Sequence, residues 1–144
     1  MVATDLALAS ATELLRLYRS RETSPVEAVR ACLDRIRRLN PSLNAFVLVD
    51  EDGALKAARA SEARWAKGAP SGALDGVPTT IKDLMHVQGW PTKRGSKLMA
   101  DAGPEKEDAP AVARLREAHA IFLGKTATPE FGWKGVTDSP LSGA

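Results

Sequence analysis

The stretch DGVPTTIKDLM, residues 75–85, sets one lysine, Lys82, at the end of an apolar, β-branched run that opens on glycine and proline. Residues 77–81 suit a buried strand. A lysine at the C-terminal end of such a strand sits where open α/β sheets form their ligand crevices. Desolvation there penalises only the charged form, so the amine's pKa falls and a neutral amine near pH 7 becomes a general base. Hydrolases built on a serine and a lysine depend on this effect. The plainer reading pairs Lys82 with Asp83 or another carboxylate as a structural ion pair.

Other residues that carry chemistry are few. His86, His119 and the single cysteine, Cys32, are too few and too scattered for a zinc site, so no metal is expected. Cys32 falls on a helical apolar stripe and reads as core. Lys125 and Glu130 read as strand-end and turn groups. Trp90 and Trp133 flank the loops nearest Lys82, either as an apolar wall for a substrate or as covers for a core edge. Ser96, Ser139 and Ser142 lack the glycine-rich setting of a strained nucleophile turn.

The elements that must position Lys82 are legible from caps and periodicity. Ser10 and Glu13 form a capping box ahead of a short helix with Ala11, Leu14, Leu15 and Tyr18 on one face. Ser24, Pro25 and Glu27 open a second helix with the stripe Val26, Val29, Cys32, Leu33 and Ile36, and with Arg30–Asp34 and Asp34–Arg38 spaced for ion pairs. Pro41 is expected to end it. AFVLVD, 45–50, is of strand length, and an alanine-rich helix follows to Gly68. GAPSGALDG is a loop, and residues 86–107 form a second, longer one of the kind that is usually functional. Asp108 and Pro110 start a last helix, and IFLGKT, 121–126, is a second buried strand. Strand, helix, strand is the parallel-sheet unit, so the fold class is α/β.

The 144 residues, 44% hydrophobic, suffice for one domain with a real core: a helical segment over 1–40 and an α/β segment over 41–144. Twenty basic and eighteen acidic residues are interleaved, which leaves no footprint for nucleic acid or anionic lipid. The N-terminus lacks a basic n-region, no run reaches membrane-span length, and one cysteine suits a reducing compartment. A cytoplasmic protein whose partners are small or neutral molecules is expected.

LDGVPTTIKDL, PTKRGS at 91–96, DAPAVARLREAHAIFLGKTATPEFG at 108–132, DSPLSG at 138–143 and the helical SPVEAVRACLDRIRRLNPSLNAF resemble, in order, the amidase signature family of serine hydrolases. The resemblance implies a mixed sheet flanked by helices, of which this chain is the N-terminal, incomplete part. It also implies amide-bond hydrolysis by a Ser–cis-Ser–Lys triad, acting on a small-molecule amide without cofactor. Lys82 takes the place of the catalytic lysine, Asp83 that of a residue orienting the lysine or its backbone, and Thr126 lies beside the crevice. Both serines belong, in the family, to a glycine- and serine-rich segment further along. The chain is thus expected to be a truncated portion that supplies the lysine only and is inactive alone. Ala127 stands where the family usually has asparagine. Two other readings stand beside this one: a non-catalytic α/β module that self-associates, and one component of a tRNA-dependent amidotransferase. Sheet edges and apolar faces left open by an incomplete fold imply a homo-oligomer.

Overall fold

The computed structural model describes residues 5–143. Its regular elements are α1 (Ala11–Ser20), α2 (Pro25–Leu43), β1 (Phe46–Val49), α3 (Glu51–Ala66), β2 (Pro78–Lys82), α4 (Pro110–Glu117) and β3 (Ile121–Thr126), in that order. The strands form one sheet of order β1-β3-β2. β1 runs antiparallel to β3, with Phe46 facing Thr126 and Val49 facing Gly124 across an irregularity between Phe46 and Leu48. β2 runs the same way as β3: Val77 O accepts from Ile121 N–H near one end, and Asp83 N–H donates to Thr126 O near the other. The expected β2-α4-β3 parallel unit is therefore present, and the antiparallel β1 makes the sheet mixed.

The chain divides into two compact units. The first comprises the residues up to Arg38, Asp50–Thr79 and Leu115–Leu123; the second comprises Leu39–Val49, Thr80–Arg114 and the residues from Gly124 onward.

In the first unit Val26, Val29 and Leu33 of α2 pack with Ala54 and Ala58 of α3 and with Ile121 and Leu123. Each fully buried valine or leucine contributes about 2 kcal/mol. The alanine-rich α3 turns three small residues, Ala54, Ala58 and Ser61, inward at helical spacing, the face its composition alone left unassigned. Leu14, Tyr18 and Ala28 form a second cluster with Trp65, whose ring lies 5.8 Å from that of Tyr18. On α1, Leu17 rather than Ala11 completes the buried face, because Ala11 sits at the exposed first position of the helix.

The capping boxes divide. Ser24 Oγ accepts from Glu27 N–H while Ser24 N–H donates to Glu27, closing the box of α2. Ser10 caps α1, but Glu13 turns to Arg16 at 2.9 Å instead of reaching back. Asp34 likewise pairs with Arg37, at 2.7 Å, and not with Arg30 or Arg38; Arg37 also binds Glu51 and so gains two carboxylates.

In the second unit α2 does not stop before Pro41 but runs through it to Leu43. Proline removes its own N–H and crowds the carbonyl four residues back, a cost met once, in the last turn of a long helix. Termination falls to Asn44, in the left-handed conformation at φ 48°, whose N–H donates to Asn40 O. The Asn40 amide then grips the backbone of Phe46 from both sides, accepting from its N–H at 2.7 Å and donating to its carbonyl at 3.2 Å, which launches β1. Opposite, Gly124 lets the β1 backbone approach so closely that a Cβ there would collide with the carbonyl of Leu48. The long loop after β2 carries one short 3-10 turn, Lys97–Met99, and is tied across itself by the bridges Gln88–Glu105 and Pro91–Pro104.

Candidate active site

Lys82 ends β2, as its spacing predicts. The backbone there is tightly held. Lys82 O accepts from Leu84 N–H at 2.7 Å and from Met85 N–H at 3.0 Å, a turn that follows the last ladder bond from Asp83 to Thr126. Side chains alternate across a strand, and the alternation is sharp here: Ile81 is buried, Lys82 exposed, Asp83 buried. The amine of Lys82 has no hydrogen-bond or ion-pair partner among the described residues. The dehydrated environment expected for it is thus absent, and so is the alternative pairing with Asp83.

The dehydrated lysine is Lys125. It is fully buried on β3, and its Nζ donates to Thr92 Oγ1 at 2.6 Å, to the carbonyl of Pro91 at 2.8 Å and to Asp83 Oδ1 at 3.2 Å. Burial drives its pKa below the ordinary lysine range, opposed by the charge and hydrogen bond of Asp83. Asp83 Oδ1 also accepts from Lys93 N–H at 3.3 Å. Asp83 does not touch the amine of Lys82; its carboxylate is spent on Lys125. Read from sequence as a strand-end group, Lys125 is the most deeply held cation among the described residues. The signal was available: β3 is an unbroken buried strand, and a charge inside such a strand must find a partner.

The other candidates separate. Thr126 meets Asp83 through its backbone carbonyl. Trp133 is 75% exposed with the Lys134 ammonium 6.0 Å from its ring centre, and Trp90 is half-buried. Neither lines the cavity of about 490 Å³ in this unit, which is walled by Asp83, Lys93, Lys125 and Ser142 on its polar side and by Phe46 and Leu48 on its apolar side. Ser96 is buried and donates to Glu130 at 2.7 Å, while the hydroxyls of Ser139 and Ser142 lie 2.7 Å apart. His86 faces Arg94 through Nε2 at 3.1 Å and Glu105 through Nδ1 at 3.6 Å. No three His, Cys, Asp or Glu side chains come together as metal ligands among the described residues.

A second buried carboxylate, Asp75, holds the loop before β2 in the first unit. It accepts from Arg64 Nε at 2.8 Å and Nη2 at 2.6 Å, from Ser61 Oγ at 2.7 Å and from Ser71 N–H at 2.9 Å. Burial raises its pKa, but these four donors outweigh that and leave it below the ordinary carboxylate value. Gly76 beside it, at φ 89°, has no room for a Cβ against Ser61 and Pro25.

The motif flanking Lys82 is thus braced by two acids with different anchors. A family model for amidases matches residues 27–144. The chain belongs to the amidase signature family. It is 42% identical over 139 residues to a glutamyl-tRNA(Gln) amidotransferase subunit from Acidothermus cellulolyticus, covering 96% of this chain and 27% of that protein. It is 45% identical over 135 residues to an indoleacetamide hydrolase from Bradyrhizobium diazoefficiens, covering 93% of this chain and 25% of that one. Among solved structures, a bacterial aryl acylamidase of the amidase signature family superposes with a TM-score of 0.82 at 34% identity, over 94% of this chain and 28% of that structure. The mixed, helix-flanked sheet is the fold of this family, and the chain spans about a quarter of the length of these relatives. No described helix is long and apolar enough to cross a membrane.

Proposed function

We propose that the whole protein hydrolyses a carboxamide to a carboxylate and an amine or ammonia by a Ser–cis-Ser–Lys mechanism, with Lys82 as its base. The observation that carries this reading is the contrast at β2: the amine of Lys82 has no partner among the described residues and stands on a hydrogen-bonded turn, while the neighbouring acid that would neutralise it is committed to Lys125. A base must be free to exchange a proton and must be held in place. In this reading Lys82 accepts a proton from a bridging serine, which takes one from the nucleophilic serine as that oxygen bonds to the amide carbon. The proton returns by the same route to the leaving nitrogen as the C–N bond breaks, and water then hydrolyses the acyl ester. The serines and the walls that dehydrate Lys82 come, on this reading, from the greater part of the protein, and the 144 residues alone are inactive.

The test is labelling of the whole protein by a serine-directed fluorophosphonate. Lys82→Ala should abolish labelling, a loss of at least about 100-fold, with the circular dichroism unchanged. Labelling at the normal rate refutes the role of Lys82.

Relatives named as amidotransferase subunits match this chain about as well as the named hydrolases do, so an amidotransferase component is the second reading. Release of ammonia from a simple carboxamide by the isolated protein favours the hydrolase; release only with partner subunits favours the amidotransferase. In the first case the partner is a small amide, no nucleic acid is bound, and the site of action is the reducing cytoplasm, in keeping with the free, partly buried Cys32. Self-association of the 144 residues by themselves belongs to the proposal: β1 and β2 are the outer strands of the sheet, and Val47 and Val49 on β1 are each 41% exposed. Light scattering after size exclusion should give a dimer or larger; a monomer at every dilution defeats it.

A further inference from the structure

We infer that Lys125 is a positioning residue for Lys82: its buried ammonium, gripping Asp83, the Pro91 carbonyl and Thr92 at once, fixes the turn from which Lys82 presents its amine. The inference rests on the proposed role of Lys82 and adds to it a residue on another strand.

Lys82 and Asp83 are consecutive, so whatever holds the Asp83 side chain inward holds Lys82 outward, and a slip of one residue would exchange the two faces. Asp83 is held twice, by its N–H on Thr126 O at 3.0 Å and by its carboxylate on Lys125 at 3.2 Å, both partners lying next to each other on β3. The same Nζ reaches the loop after β2 through Pro91 and Thr92, and Lys93 N–H closes back on Asp83. Strand end, turn and loop are thus fastened to one point charge. Its other charged neighbours are Glu105, which favours the ammonium, and Arg94, which opposes it. A lysine buried at the cost of its hydration, with all three N–H groups directed to acceptors, is a costly way to fill space; a methionine would fill the same volume. Positioning accounts for the cost, because a displacement of about 1 Å in a reacting group lowers a rate about 100-fold.

The test uses the whole protein, fluorophosphonate labelling across pH, and two variants. Lys125→Met strands the Asp83 carboxylate and should label about 100-fold more slowly. The double variant Asp83→Leu/Lys125→Met leaves no buried charge, so it should unfold at or above the parent temperature. It should nevertheless label about tenfold more slowly, with the pH midpoint of labelling displaced, because an apolar pair cannot hold Pro91 and Thr92. A purely structural Lys125 would be rescued in both respects. If the double variant labels at the parent rate with the parent midpoint while Lys82→Ala is silent, this inference is overturned and the role of Lys82 survives. If Lys82→Ala itself labels normally, the underlying reading fails first. Should Lys125→Met not fold, the double variant alone decides.

Discussion

Two buried aspartates, one ahead of β2 and one behind it, are neutralised in different ways. Asp75 meets an arginine whose side chain is 29% exposed and takes two further donors from serines 61 and 71. Asp83 meets a lysine with almost no exposure and shares it with a hydroxyl and a carbonyl. The guanidinium keeps part of its hydration and cannot be deprotonated in practice; the ammonium gives up its hydration and has a depressed pKa. The first arrangement is a staple whose weak point is the acid. The second is a clamp whose weak point is the base.

Removing the base from the clamp should have the largest effect. Lys125→Met leaves a buried carboxylate without its counter-charge and should cost about 3–5 kcal/mol, read as a fall in the urea midpoint at unchanged slope. Asp75→Asn should cost less, about 1–3 kcal/mol, since Arg64 can turn to solvent while the amide still accepts from one serine. Equal losses at both positions would erase the distinction between staple and clamp. The smallest and sharpest test is pH. The folded pKa of Asp75 is lowered, so its contribution is complete above the unfolded value near 4 and fades as pH falls through the folded value; Asp75→Asn should flatten the acid limb of the stability curve. The folded pKa of Lys125 is also lowered, but it is a base. The unfolded chain then binds the extra proton, so the Lys125 contribution rises with pH between its folded pKa and the unfolded value near 10.4. The Asp83→Leu/Lys125→Met variant should lose that rise.

The sequence was most legible where local rules act alone. The boxes at Ser10 and Ser24, the glycine- and proline-rich loops and the apolar strands announce the elements, and their order announces the class. It misled where several partners, most of them within one helical turn, compete for the same group. Glu13 left its cap for Arg16, Asp34 chose Arg37 because Glu51 adds a second carboxylate to that arginine, and Pro41 was absorbed because Asn44 ends the helix instead. At the site, the position of Lys82 at a strand end was readable from its run, whereas its solvation was not. Burial of an amine depends on what faces it, and the acid next to Lys82 is taken by Lys125, 43 positions further along the chain than Lys82.

Gly124 carries one more consequence. Elsewhere in the sheet a larger side chain would push against neighbouring side chains, which can rotate away by degrees. At 124 the obstacle is the main chain of β1 itself. Substitution there cannot be absorbed by gradual repacking: either the hydrogen-bonded seam parts, or the residue stays as it is. At this one position the meeting of β1 and β3 is therefore closed to stepwise variation, and a single missing methyl group makes it so.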